Sequence, residues 1–181
     1  MSERAPDTST SVRVRGAPLL VTAEMPPDIH EWADAMRRAY FPPERNKLRA
    51  HVTLFHALPP SVEDELVALI GDLTRISPPE ARITGLMKLG GGTALAVDSP
   101  GVVELHEIIQ DRMDGAMTRQ DQQKLRLHIT IQNKVSGEEA RALQTKLADT
   151  LELKQFRFHG LGIYYYVDGL WQHRKTFAFR G

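Results

Sequence analysis

Two copies of one octapeptide carry the residues of this chain that are best suited to chemistry. The segment Lys-Leu-Arg-Ala-His-Val-Thr-Leu begins at position 47, and Lys-Leu-Arg-Leu-His-Ile-Thr-Ile begins 77 residues later, at position 124. Five of the eight positions are identical, and the other three exchange one apolar residue for another. Each copy alternates polar and apolar residues, which indicates a β-strand whose His and Thr share one face. The repeat therefore offers two imidazoles and two hydroxyls: His51, His128, Thr53 and Thr130.

This set of side chains suits acid–base chemistry on a phosphodiester. Opening a cyclic phosphate needs a base that takes a proton from water and an acid that protonates the departing ribose oxygen. An imidazole, with an ordinary pKa of about 6.5, serves in either state near neutrality. Threonine hydroxyls can donate hydrogen bonds to the non-bridging phosphate oxygens. The design needs no metal and no cofactor, and we assign His128 as the base and His51 as the acid.

Further side chains near the motifs are candidates for substrate binding. Arginines two residues before each His could bind flanking phosphates, and aromatic rings could stack on a base. Solvated arginines and core aromatics are the alternative interpretation, and the sequence leaves it open. The candidates are Arg49, Phe55, Arg126, Gln132, Lys134, Tyr164, Tyr166 and Trp171.

Composition limits the setting of this chemistry. The chain of 181 residues has 23 Lys and Arg against 23 Asp and Glu, so a general nucleic-acid coat is excluded and any RNA contact should be local. It has no cysteine, which excludes disulfides, thiolate metal sites and a Cys nucleophile. Neither a transmembrane run nor a signal peptide is evident, and we expect a cytoplasmic protein.

The elements around the motifs repeat as well. Apolar runs, helical spacing and turn residues predict the order β-α-β-α-β twice, followed by a closing hairpin around Asp168-Gly169. The last strand of the second half is predicted over residues 156–166. We therefore predict an α+β protein with a tail at residues 1–15 and one bilobal domain at residues 16–181. Its repeat halves are residues 17–89 and 93–181, and we expect 17–89 and 93–162 to superpose as two lobes.

The paired His-x-Thr-aliphatic strands, with the elements from about Ala17 to Gly181, resemble the two-histidine (2H) phosphoesterase superfamily. Within it, the resemblance is to the 2′-5′ RNA ligase and RNA 2′,3′-cyclic phosphodiesterase group. It implies two lobes related by a pseudo-twofold axis, each an antiparallel sheet flanked by helices, with a central cleft. It also implies that His51 and His128 are catalytic and that Thr53 and Thr130 hold the phosphate. Many bacterial members have Arg where this chain has Asn133.

The expected function is a metal-independent phosphodiesterase that hydrolyses 2′,3′-cyclic phosphates, or makes and breaks 2′-5′ linkages. Its partners would be RNA ends or small nucleotides, and it would act as a monomer. Three alternatives stay open at this point. They are a catalytically idle RNA- or nucleotide-binding module of the same fold, a phosphodiesterase for a non-RNA substrate, and a metallohydrolase using His51 and His128.

Overall fold

The computed structural model describes residues 13–181. Of the tail predicted at residues 1–15, residues 1–12 lie outside the described residues, and Arg13 pairs with the Glu63 carboxylate at 3.1 Å. Among the described residues, no helix is long and apolar enough to cross a membrane. The elements follow in the order β1 (Leu19–Glu24), α1 (Pro27–Tyr40), β2 (Val52–Leu58), α2 (Glu63–Leu73), β3 (Glu80–Lys88), β4 (Thr93–Asp98), α3 (Pro100–Arg112), β5 (His128–Gln132), α4 (Gly137–Ala148), β6 (Gln155–Arg157), β7 (Gly160–Val167) and β8 (Leu170–Ala178).

Local sequence signals explain where these elements begin and end. Helices α1 and α3 both begin with proline at the first turn, where its missing N–H costs nothing. Helix α4 is opened by a capping box, in which Ser136 and Glu139 exchange side-chain and backbone hydrogen bonds. The β7–β8 hairpin turns at Asp168 and Gly169, whose φ angles of 52° and 79° match a two-residue turn with both central residues left-handed.

Two antiparallel four-stranded sheets form the framework, in the orders β2-β1-β7-β8 and β5-β4-β3-β6. The prediction of an α+β fold with two antiparallel sheets and flanking helices is confirmed, as is the order β-α-β-α-β in each half. Strand β1 is central in its sheet, and five of its six residues are buried, which explains its continuous apolar run.

The two sheets do not coincide with the two repeat halves predicted at residues 17–89 and 93–162. Strand β3 belongs to the first half but pairs with β4, and β7 returns from the second half to pair with β1. The single strand predicted at residues 156–166 is two strands, because β6 pairs with β3 and β7 with β1. Phe158 lies between them and is fully buried. Each sheet therefore draws strands from both halves.

The two His strands occupy corresponding places in this arrangement. Strands β2 and β5 are the edge strands of their sheets, and they contact each other. Helix α1 comes from the first half but packs on β5, the His strand of the second half. The exchange of strands and helices between the halves thus sets the two copies of the motif side by side.

Candidate active site

Both histidines are held by the same hydrogen bond. Nδ1 of His51 lies 2.7 Å from the carbonyl oxygen of Arg49, and Nδ1 of His128 lies 2.6 Å from that of Arg126. A carbonyl only accepts, so Nδ1 carries the proton in both rings. This fixes the tautomer and leaves each Nε2 as the nitrogen that can exchange a proton with a substrate.

Each His strand also contains a β-bulge directly after its threonine. In β2, Thr53 pairs with Thr22 and Phe55 with Val21, so Leu54 is an extra residue. In β5, Thr130 pairs with Ala94 and Gln132 with Thr93, so Ile131 is an extra residue. A bulge interrupts the alternation of side chains, so the residue after it changes face. The repeat therefore extends to backbone irregularity as well as to residue type.

The bulges correct two predicted substrate-binding residues. Strict alternation places Phe55 and Gln132 beside the histidines, but Phe55 is fully buried and Gln132 is 6% exposed. The Phe55 ring stacks on His106 of α3 at a centroid distance of 4.6 Å. Gln132 accepts a hydrogen bond from the Thr93 hydroxyl at 3.2 Å. Both side chains are buried in contacts within the framework.

Two cavities are lined by residues of the motifs. One, of about 280 Å³, is lined by Thr53 from the first motif and by His128 and Arg126 from the second. The other, of about 560 Å³, is lined by His51 and Arg49. One cavity thus combines a hydroxyl from one repeat with an imidazole from the other, as an exchange of elements between halves requires.

The aromatic candidates separate into two groups. Tyr164 and Trp171 line the larger cavity with His51, and the Trp171 and His51 rings are 4.4 Å apart between centroids. Tyr166 is exposed and lines neither cavity. Lys134 also lies outside both cavities, in the turn after β5, where it adopts a φ of 59°. Thr130 is half-buried, and its carbonyl accepts a hydrogen bond from Arg37, a residue that the sequence analysis did not identify.

Arg37 is 4% exposed, on the inner face of α1. Its Nη1 donates to the carbonyl of Thr130 at 3.0 Å, and its Nε donates to Asn46 Oδ1 at 2.7 Å. The guanidinium lies 4.2 Å from the centroid of the Phe41 ring. Within residues 13–181 it forms no ion pair, since the nearby Asp34 pairs with Arg38 and Arg49. A buried positive charge is therefore available at the junction of β2 and β5.

Two buried carboxylates anchor the segments around the first motif. Asp34 accepts from the backbone N–H of Ala50 at 2.7 Å and from Arg49 Nε at 3.2 Å. Asp121 accepts from the backbone N–H groups of His56 and Ala57 at 2.8 and 2.9 Å. Burial alone would raise the pKa of each carboxyl, but these hydrogen bonds and nearby charges outweigh it and lower both pKa values. Arg49 is thereby tied to the protein as well as lining the cavity of His51.

The surroundings of His51 disfavour its charged form. Its ring is partly covered, and the loss of water around it lowers the pKa of His51 to about 4. The hydrogen bond to the Arg49 carbonyl opposes this shift, while the positive charges of Arg37 and His128 reinforce it. His51 is therefore neutral at physiological pH. A neutral imidazole is suited to accept a proton, which favours His51 as the base over the assignment made from the sequence.

Sequence reasoning missed Arg37, Asp34 and Asp121. A signal for Arg37 exists in the helical spacing of Ile29, Ala33 and Arg37, which places all three on the buried face of α1. Asp121 lies in a polar segment between α3 and β5, and nothing in that segment indicates its backbone partners 64 and 65 residues earlier. No cluster of three or more His, Asp or Glu side chains in the described chain could hold a metal ion.

Comparison with known proteins places this arrangement in a family. The model of the 2′-5′ RNA ligase superfamily matches residues 25–170. No curated protein sequence matches the chain. Among solved structures, the chain is similar to TT0787 of Thermus thermophilus, with a TM-score of 0.63, 15% identity, and 91% of this chain and 98% of that chain covered.

It is also similar to LigT of E. coli. The LigT structure complexed with NADP+ has a TM-score of 0.62 and 17% identity, and the match covers 93% of this chain and all of LigT. A LigT structure complexed with 3′-AMP has a TM-score of 0.60 and 18% identity, with coverage of 92% and 100%. These likenesses show the fold, and the family match covers most of the chain. The chain belongs to the 2′-5′ RNA ligase superfamily and is a 2H phosphoesterase.

Proposed function

We propose that this enzyme opens the ring of nucleoside 2′,3′-cyclic phosphates, at RNA ends or in small nucleotides, by acid–base catalysis between His51 and His128. With the 5′-hydroxyl of a second nucleoside in place of water, the same chemistry makes a 2′-5′ linkage, and the reverse reaction breaks one. The observation that carries the proposal is the matched pair of Nδ1–carbonyl hydrogen bonds, which leaves both Nε2 atoms for proton transfer on adjacent edge strands. The LigT structures with 3′-AMP and NADP+ support a nucleotide as the ligand.

In the proposed reaction, His51 is the base and His128 the acid. Nε2 of His51 takes a proton from water while the water oxygen forms a bond to phosphorus. The bond between phosphorus and one ribose oxygen breaks, and that oxygen takes the proton from Nε2 of His128. The product is a nucleoside monophosphate, and proton exchange with solvent restores the two imidazoles.

The threonines and Arg37 stabilise charge in this scheme. The hydroxyls of Thr53 and Thr130 donate to the non-bridging oxygens as negative charge shifts onto them. The buried guanidinium of Arg37 holds the backbone at Thr130 at 3.0 Å and supplies a fixed positive charge near the phosphate. Because every one of these groups comes from one chain, we take the monomer as the active unit.

The test is a panel of nucleoside 2′,3′-cyclic phosphates and 2′-5′ and 3′-5′ dinucleotides, incubated with the enzyme with and without EDTA. We expect hydrolysis of the cyclic phosphates at an unchanged rate in EDTA. For variants in which His51 or His128 is replaced by Ala, the matched control is His159→Ala. It removes an exposed imidazole outside both motifs and both cavities. Cyclic phosphates left intact while nucleotides still bind would indicate an idle binding module. Activity lost in EDTA and restored by zinc would indicate a metallohydrolase.

A further inference from the structure

The larger cavity beside His51 contains a carboxylate that the proposed reaction does not use. The cavity has a volume of about 560 Å³, within the range that accepts a nucleotide-sized ligand. Its walls include the rings of His51, Tyr164 and Trp171, and the Trp171 ring packs against the His51 ring. Glu24, the last residue of β1, also lines the cavity.

Two hydroxyl groups hold the Glu24 carboxylate in one orientation. Thr22 Oγ1 donates to Oε1 at 2.7 Å, and the Tyr164 hydroxyl donates to the same oxygen at 2.8 Å. Burial and the negative charge of Glu24 raise the pKa of Tyr164, so its hydroxyl remains a donor. Among residues 13–181, neither a cation nor a hydrogen-bond donor contacts Oε2. The carboxylate therefore has a free acceptor oxygen in a cavity lined by aromatic rings.

A glycine makes this position of the carboxylate possible. A Cβ atom at Gly162 of β7 would overlap Glu24 Oε1, and it would also lie 2.8 Å from Thr22 Oγ1 and 2.9 Å from the Tyr164 ring. Glycine inside a strand weakens the strand, because it loses more backbone entropy on folding and packs no side chain. Strand β7 carries this weakness at the point where Glu24 needs the space.

We propose that this cavity binds the base of the nucleotide and that Glu24 selects guanine. The inference rests on the proposed function, because it places the base of the cyclic phosphate substrate next to His51. A carboxylate only accepts hydrogen bonds. Guanine is the one common base whose Watson–Crick edge presents two adjacent donors, N1–H and the 2-amino group. Tyr164 and Trp171 provide the faces on which the ring can stack.

The other occupants fit Glu24 less well. Adenine and cytosine each place a ring-nitrogen acceptor next to their amino group, and uracil places its N–H between two carbonyl oxygens. Each of these acceptors would face the negative charge of Glu24. A second phosphate of the substrate would meet the same repulsion at Glu24, although Lys47 and Arg49 also line the cavity. The free oxygen of Glu24 is therefore suited to a donor-rich base.

The experiment compares kcat/KM for guanosine, inosine, adenosine, cytidine and uridine 2′,3′-cyclic phosphates. We expect guanosine to exceed uridine by roughly 10- to 100-fold, as for hydrogen bonds to a charged group. Inosine, which lacks the 2-amino group, should lie between them. Glu24→Gln should bring guanosine and uridine to within about 3-fold, because the amide presents one weaker acceptor and an N–H. The matched control Glu104→Gln, on the exposed face of α3, should keep the guanosine preference.

Two outcomes would overturn this inference while leaving the proposed function intact. They are equal kcat/KM for guanosine and uridine substrates, and a guanosine preference that persists in Glu24→Gln. If no cyclic phosphate is hydrolysed, the proposed function fails, and calorimetry with guanosine and uridine monophosphates tests the cavity separately. Tighter binding of the guanosine monophosphate, lost in Glu24→Gln, supports the base site, and equal binding rejects it.

Discussion

The two His-x-Thr strands have the same internal geometry and different surroundings. Both carry the Nδ1–carbonyl hydrogen bond and the bulge after the threonine. Around His51 lie the Trp171 ring and the buried charge of Arg37, whereas His128 lines a cavity with polar residues of the segment between α3 and β5. The repeated residues therefore fix the hydrogen bonding of both imidazoles, while non-repeated neighbours lower the pKa of His51.

The largest expected effect comes from removing either imidazole. His51→Ala and His128→Ala should each lower kcat/KM by ~10²–10⁴-fold, because each loses one acid–base group. The double variant should be scarcely slower than either single variant, since the two groups act in one step. Steady-state kinetics on a cyclic phosphate measures all three. Full activity in either single variant would show that the replaced imidazole takes no part in the reaction.

The threonines should matter less than the histidines and about equally to each other. Thr53→Val and Thr130→Val keep the β-branched shape and remove the hydroxyl, so each should lose one hydrogen bond to a charged group, about 1.5–3 kcal/mol of transition-state stabilisation. Thr→Ser at either position is the matched control and should keep most of the rate. A large loss at one threonine alone would show that the phosphate is held from one side.

The two buried carboxylates offer a comparison in stability. Asp34→Asn and Asp121→Asn should each cost about 1–3 kcal/mol of unfolding free energy at pH 7, because a buried charged acceptor is replaced by an amide. Both carboxyl pKa values are lowered in the folded protein, so this stabilisation is present at neutral pH and is lost as the pH falls below about 4. Urea unfolding at pH 7 and at acidic pH measures it, with Asp111→Asn as an exposed control. Unchanged stability at pH 7 would remove their anchoring role.

Replacing Arg37 should give the smallest effect, and it tests whether this charge helps to lower the pKa of His51. Arg37→Gln should move the acid limb of the pH–rate profile up by about one pH unit or less, because a positive charge near His51 is lost. Arg37→Lys keeps the charge and should leave the limb in place, although it loses part of the contact with Thr130. Identical limbs in the Gln and Lys variants would assign Arg37 a purely structural role.

The sequence predicts this molecule well where local pattern decides, and poorly where distant contacts decide. The repeat locates both His strands, and prolines, the capping box and Asp168-Gly169 locate helix starts and the hairpin. Alternation fails at Phe55, because a bulge cannot be read from residue types. The pairing of β3, from the first half, with β4, from the second half, cannot be predicted either. Periodicity identifies a strand but not its partner.

The site residues show the same division. His51, Thr53 and His128 follow from the motif, and the structure places His51 at one cavity and both Thr53 and His128 at the other. Arg37 is missed because a charged residue on a helix is ordinarily read as solvated. Glu24 is missed because its partner Tyr164 is 140 residues away in the sequence.

The pH dependence of kcat/KM for a nucleoside 2′,3′-cyclic phosphate tests whether His51 is the base. We expect an acid limb at about pH 4, set by protonation of His51, and loss of this limb from the residual activity of His51→Ala. Circular dichroism over the same pH range would confirm that the enzyme stays folded. An acid limb near the ordinary histidine value of about 6.5, unchanged in His51→Ala, would contradict the assignment of His51 as the neutral base.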